Sequence, residues 1–228
     1  MLFLLFRLKI LHLIQKPQLR GAEIFTSQLA AHLTKMGHEA VIVSVFEGDA
    51  HLPFSGKHIR LKGNQSKKYF DLKAWKALAS IIKNEKPDII QANAGDTLKY
   101  AVFSKLLFNW KQPVVFRNAS TISLYIKPGF VKKLYRFLFG NTKKIISVSK
   151  ASALDFGHLY PVYKNKIVTI PIGIEREEKI ENKMFQNPFD DMQITRPILL
   201  HVGGFTFEKN HAGLLNIFSE VVKAIPSA

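Results

Sequence analysis

Strand-like and helix-like runs alternate along most of this 228-residue chain, and that alternation leaves few folds open. Ile10–Ile14 is a short apolar run. Phe25, Leu29, Leu33 and Met36 then recur at steps of four, four and three, one face of a helix over Ala22–Met36. Gly37 is placed to end that helix. Ala40–Val45 is rich in β-branched residues and reads as a second strand, with a short third at His58–Leu61. Asp71 is placed to cap a helix through Leu72, Trp75, Leu78, Ala79 and Ile82. Further strands are expected at Asp88–Gln91, Pro113–Phe116, Lys144–Val148 and Lys166–Ile170. Helices at Leu98–Trp110, Gly129–Phe139 and Lys150–Leu159 separate them. Apolar strands joined by helices make a parallel sheet covered on both faces, so the expected class is α/β and Rossmann-like. Ligands of such sheets sit beyond the carboxyl ends of the strands, where the strand order reverses. Functional residues are therefore sought just after strands.

The composition changes between Ile174 and Arg196, where charged and polar residues dominate around Asn187-Pro188 and Asp190-Asp191. The expected division is a first domain over 1–175, a linker over 176–196, and the start of a truncated second α/β domain over 197–228. That second part opens with the apolar run Ile198–Val202, expected to be a buried strand. Gly203-Gly204 break the chain, and Lys209 and Asn210 open an amphipathic run through Leu214, Leu215, Ile217, Phe218 and Val221. Strand, glycine turn, lysine and helix start form a layout suited to an anion. Glycines let backbone N–H groups approach a phosphate, and the helix start and the lysine add positive potential. An ordinary strand–turn–helix joint has the same outline.

Net charge narrows the partners. There are 33 Lys and Arg against 17 Asp and Glu, a formal charge of +16, which implies an anionic partner. From Thr97 to Leu154 no acidic residue occurs. Within that run Phe130, Val131, Leu134, Tyr135, Leu138 and Phe139 alternate with Lys132, Lys133 and Arg136. A basic amphipathic helix carrying aromatic residues suits an anionic membrane surface, with Phe130, Lys132, Lys133, Tyr135 and Arg136 as the membrane-facing candidates. A solvated basic face over a core stripe is the other reading. The absence of cysteine excludes disulfides and thiolate chemistry, and the eight histidines lack the spacing of a zinc site, so no metal is expected. The opening M-L-F-L-L-F run is cut by Arg7 and Lys9, unlike a signal peptide, and no run of ~20 apolar residues spans a bilayer. No helix-turn-helix, zinc-finger or RNP signature marks a nucleic-acid binder.

Four short segments carry a family resemblance. Leu19-Arg-Gly-Ala-Glu23, a helix, and Gly37-His-Glu-Ala-Val41 resemble the N-terminal signature of glycosyltransferase family 4, retaining enzymes of the GT-B fold with two Rossmann-like domains. Lys86-Pro-Asp-Ile-Ile90, Ile170-Pro-Ile-Gly-Ile-Glu175 and Val202-Gly-Gly-Phe-Thr-Phe-Glu-Lys209 resemble three further family segments, in the same order.

The resemblance implies a sugar transferred from a nucleotide diphosphate sugar to a lipid-linked or polysaccharide acceptor in cell-surface glycan synthesis, at the cytoplasmic face of a membrane. It implies donor-phosphate contacts from Gly21, Gly203, Gly204 and Lys209, with cations and helix ends in place of a metal. It implies an acceptor side in the first domain, where Glu23, Asn93, Arg117 and Asn118 are the cleft candidates. Arg117 and Asn118 are also readable as a salt bridge and a turn residue. The sequence departs from the family at Gly204, where an arginine is usual, and at Gln91, Asn93 and Arg117-Asn118-Ala119, where histidines are usual. The paired glutamates of the family's second domain have no counterpart before Ala228, so poor activity is expected of this chain alone, and catalytic residues stay unassigned. A non-enzymatic basic module that binds anionic membrane or nucleic acid is the competing class.

Overall fold

The computed structural model describes residues 7–67, 70–173, 199–205 and 207–226. The chain forms two compact units, Met1–Ile174 and Glu175–Ala228. The first is a seven-stranded parallel sheet in the order β3-β2-β1-β4-β5-β6-β7. Its strands are β1 (Lys9–Ile14), β2 (Glu39–Ser44), β3 (Lys57–Arg60), β4 (Ile89–Ala92), β5 (Val114–Asn118), β6 (Lys144–Ser147) and β7 (Ile167–Thr169). Helices α1 (Gly21–Lys35), α2 (Leu72–Glu85), α3 (Gly95–Phe108), α4 (Phe130–Gly140) and α5 (Lys150–Leu159) connect them. This is the expected Rossmann-like α/β class.

Local chemistry sets the element ends. Asp71 Oδ1 accepts from Ala74 N at 3.1 Å and caps α2, while its Oδ2 accepts from Asn64 N and from the Tyr100 hydroxyl. Gly37 follows α1 with φ of +88°, the left-handed conformation that favours glycine.

The order reverses between β1 and β4, and the reversal makes the two faces unequal. Right-handed crossovers put α1, which leads from β1 to β2, on one face and α3, which leads from β4 to β5, on the other. Leu11, Leu13, Ile90, Ala92, Val114, Phe116 and Ile145 point into the main core, with Trp75 and Leu78 of α2, Leu98 and Val102 of α3, Leu138 and Phe139 of α4, and Phe156 of α5. The opposite face holds a small cluster of Ile14, Ala30, Ile42 and Leu52 beneath α1. Helix α1 packs on β1 and β2. Beyond it Val168 and Ile170, on that same side, are 39% and 51% exposed.

In the second unit, α6 (His211–Ala224) begins where the sequence places it, with Asn210 Oδ1 accepting from Gly213 N at 3.2 Å. The expected strand over Ile198–Val202 is not formed. Residues 199–202 have no regular structure, and Leu199, Leu200 and Val202 are 66%, 78% and 82% exposed. A parallel strand needs neighbours to complete its hydrogen bonds, and no other strand of this unit occurs among the described residues. Ile198 lies outside them, as does the whole of the expected linker 176–196.

Candidate functional site

The reversal between β1 and β4 lies where the chain leaves both strands at their carboxyl ends. Gln15 follows β1 and donates to Asp96 at 2.9 Å, and Asp96 also holds Lys99 at 2.6 Å. Asn93 follows β4, but its side chain is committed within the protein. Nδ2 donates to Leu13 O at 3.1 Å, tying β4 to β1, and Oδ1 accepts from Gln91 Nε2 at 2.9 Å. Asn93 is 5% exposed and acts here as a clamp between strands.

Arg117 and Asn118 do not converge on one cleft. The sequence reading ends the strand at Phe116, whereas both residues continue β5, pairing with Ile146 and Ser147. Successive strand residues point to opposite faces. Asn118 therefore turns to the main-core side, where Nδ2 donates to Ser152 O at 3.2 Å and to Ser147 Oγ at 3.4 Å. Arg117 turns to the α1 side, where its guanidinium lies over the Phe25 ring at 4.0 Å. Both are buried, at 4% and 1% exposure, and among the described residues neither forms the salt bridge or turn of the alternative reading.

Arg117 faces a mostly apolar cavity of about 290 Å³ between α1 and the sheet. Phe25, Leu29 and Leu33 of α1 line one wall, and Ile10, His12, Ile89, Gln91, Val115, Ile146 and Val148 line the floor. Three residues of the apolar stripe read from the sequence, Phe25, Leu29 and Leu33, thus face this cavity, whereas the fourth, Met36, follows the helix and is exposed. The residues of α1 that are fully buried are Glu23, Thr26, Ser27 and Ala30. The Arg117 Nη1 and both ring nitrogens of His12 are buried without a hydrogen-bond partner among the described residues. Burial lowers His12 to a pKa of about 4, so the ring is neutral. Burial also lowers Arg117, to about 10, against the pull of Glu23. Glu23 is itself raised by burial and accepts from Gln18 Nε2 at 3.1 Å. Sequence reasoning missed His12, whose signal is a polar side chain in the middle of an apolar strand.

Gly21 opens α1, and a Cβ there would meet nothing within 4 Å, so no close packing demands glycine. Its helix begins without a side-chain cap. In the second unit the glycine turn and Lys209 do come together. A Cβ on Gly203 would lie 3.3 Å from Lys209 Cδ and 3.1 Å from His201 Nε2, and His211 Nε2 sits 3.0 Å from Gly204 O. A Cβ on Gly204 would enter open space, which leaves room for the arginine usual in the family.

On α4, Phe130 is 76% exposed and Lys132, Lys133 and Arg136 face solvent. These three cations line a cavity of about 360 Å³ with Gly129, Leu159, Tyr160, Pro161 and Val162. Tyr135 does not share that face. It packs against the main core, 5.7 Å from the Phe139 ring, and its hydroxyl lies against Gly95, where an added Cβ would push the tyrosine aside. The helical period explains this: Val131, Leu134, Tyr135 and Leu138 make the inward stripe. Lys99 and Arg117 also leave the basic surface, since both are buried. Among the described residues no helix is long and apolar enough to cross a membrane, and no three His, Asp or Glu side chains gather as metal ligands.

A seven-stranded parallel sheet with this reversal and helices on both faces is the Rossmann-like fold of GT-B glycosyltransferase domains. The family model for glycosyltransferase family 4 matches residues 19–178, and the chain belongs to that family. Solved structures agree on the fold. Anabaena HepE, in complex with UDP-glucose, is 17% identical with a TM-score of 0.56, over 74% of this chain and 45% of HepE. A glycosyltransferase from Rickettsia africae is 21% identical with a TM-score of 0.58, over 75% and 44%. Sucrose-phosphate synthase from Thermosynechococcus elongatus is 14% identical with a TM-score of 0.58, over 74% and 49%. The matches cover less than half the length of these proteins. No curated protein matches the chain.

Proposed function

We propose that this chain supplies the acceptor-side half, and the first wall of the donor side, of a glycosyltransferase. The donor is a nucleotide diphosphate sugar and the acceptor a lipid-linked or polysaccharide glycan. The observation that carries this reading is the family match over 160 residues on a sheet whose order reverses at β1 and β4. Lys209 beside the Gly203 turn suits a leaving diphosphate, because a fixed cation stabilises charge as it develops there. Cations and helix ends do this work without a metal, and the sugar is transferred with retention. Lys132, Lys133 and Arg136, next to exposed Phe130, hold the protein on the cytoplasmic face of an anionic membrane, each worth ~1 kcal/mol near the surface. Replacing all three with alanine is expected to weaken binding to phosphatidylserine-containing vesicles about 100-fold.

The test is turnover. The chain, alone and joined to a complete nucleotide-sugar-binding half of its family, is incubated with UDP-, GDP- and dTDP-sugars. The joined protein is expected to hydrolyse or transfer from at least one donor, and the chain alone to be poorly active. Failure of the joined protein on every donor, with vesicle binding intact, would favour a non-enzymatic membrane module.

A further inference from the structure

Another cavity lies at the opposite end of the sheet. Lys86 precedes β4 and Gln112 precedes β5, so it sits at the amino ends of these strands, away from the carboxyl ends where ligands of such sheets bind. Its volume is about 510 Å³, within the range of small-molecule pockets. Helix α2 contributes Lys76 and Lys83, its cap contributes Lys86, and the segment after α3 contributes Lys111. All four lysines are exposed, and half-buried Phe108 and nearly buried Trp110 lie beneath them.

No Asp or Glu lines this cavity, and among the described residues none of the four lysines forms an ion pair. Lys111 donates to Asn109 Oδ1 at 2.6 Å, a neutral acceptor that leaves its charge uncompensated. Like charges around one hollow repel, and a concave surface focuses their potential. Neighbouring Lys105 feels that field: burial first, and then the Lys111 charge, lower its pKa below the usual lysine value. Helix ends attract cations, which accounts for Lys83 in the last turn of α2 and for Lys105, which donates to Gln112 O at 2.7 Å. It does not account for Lys76, more than two turns before the end of α2, because the dipole acts only within the last turn.

The rim narrows the ligand. No arginine lines the cavity, so it offers compact charges rather than the forked donors that grip carboxylates in pairs. A single phosphate group carries about −2 at neutral pH, half the charge of four lysines. The aromatic residues lie inside the hollow, whereas a bilayer is met by residues that project, as Phe130 does on α4.

We infer that this cavity binds a small molecule carrying two or more linked phosphates, held among Lys76, Lys83, Lys86 and Lys111 above Phe108 and Trp110. It uses no residue assigned to sugar transfer or membrane contact, so its test depends on neither.

Titration calorimetry of the 228-residue chain in magnesium-free buffer, with ATP, tripolyphosphate and AMP, provides the test. ATP or tripolyphosphate is expected to bind, with AMP about tenfold weaker. Tighter binding of ATP than of tripolyphosphate marks an organic ligand whose ring lies on the aromatic residues, and equal or weaker binding marks an inorganic chain. Lys83→Ala combined with Lys111→Ala is expected to weaken polyphosphate binding about tenfold, whereas Lys209→Ala leaves it unchanged. The substituted side chains are exposed, and circular dichroism melts confirm that each variant folds. AMP binding as tight as ATP, an affinity unchanged in the double variant, loss of binding in Lys209→Ala, or no binding of either polyphosphate would overturn the inference. So would binding of single-stranded RNA or phosphatidylserine vesicles that the double variant abolishes and ATP fails to compete with, since the rim would then serve a polymer or a membrane.

Discussion

Helices α2 and α6 are each 14 residues long, and each starts with a side-chain cap, Asp71 on Ala74 N and Asn210 on Gly213 N. There the likeness ends. Helix α2 buries Ala74, Trp75, Leu78 and Ile82 in the main core, whereas α6 buries nothing, and Leu215, Ile217 and Phe218 stay 67%, 65% and 38% exposed. Capping and amphipathic pattern are properties of a segment, so they produce a helix in both places. Burial belongs to the partner. The first unit supplies a seven-stranded sheet, and the described part of the second supplies no strand. Most helical stability in proteins comes from packing an apolar face rather than from propensity.

Amide hydrogen exchange breaks or sharpens that contrast most strongly. Amides of α2 are expected to exchange at a rate limited by global opening, and those of α6 roughly 10³-fold faster or more, through local opening. Equal protection would show that α6 has a packing partner. A mutational pair gives the next largest effect. Trp75→Ala should cost about 3–5 kcal/mol in denaturant unfolding, because it leaves a cavity beside Tyr100 and Phe103. Leu215→Ala on the exposed face of α6 should change stability by less than about 0.5 kcal/mol.

A pH titration separates the two units by a different route. His12 lies in the first unit with a pKa of about 4, against 6.5 for an unburied histidine. Between these values the unfolded chain binds a proton that the folded chain refuses. Stability is therefore full above pH 6.5 and falls as the pH drops to 4, by about 3 kcal/mol. The midpoint of urea unfolding of the first unit should follow that window, and His12→Leu should flatten this component of it. Exchange within α6 should not follow it. An unchanged profile in His12→Leu would show that other groups carry the acid sensitivity.

The sheet was legible because its signals are local: apolar runs, the stripes of α2 and α4, Asp71 as a cap and Gly37 as a stop. The site was legible only in part. Arg117 and Asn118 were found as polar residues near a strand end. Their opposite directions depended on two further ladder pairs with β6, which the sequence does not display. Tyr135 was readable and was misassigned: its spacing from Val131, Leu134 and Leu138 places it on the inward stripe, and charge alternation drew attention to the wrong face. The run Ile198–Val202 has the composition of a buried strand, yet a strand is completed by its neighbours, and composition carries no record of whether they are there.

Under the proposed function labour is divided, with donor phosphates held by the glycine–lysine turn and the acceptor by the first unit. Steady-state kinetics of the joined protein test it most directly, with donor and acceptor varied separately. Lys209→Ala is predicted to lower kcat/KM for the nucleotide sugar about 100-fold while leaving the acceptor KM within a factor of two. An unchanged donor kcat/KM in Lys209→Ala, or a loss confined to the acceptor KM, would contradict it.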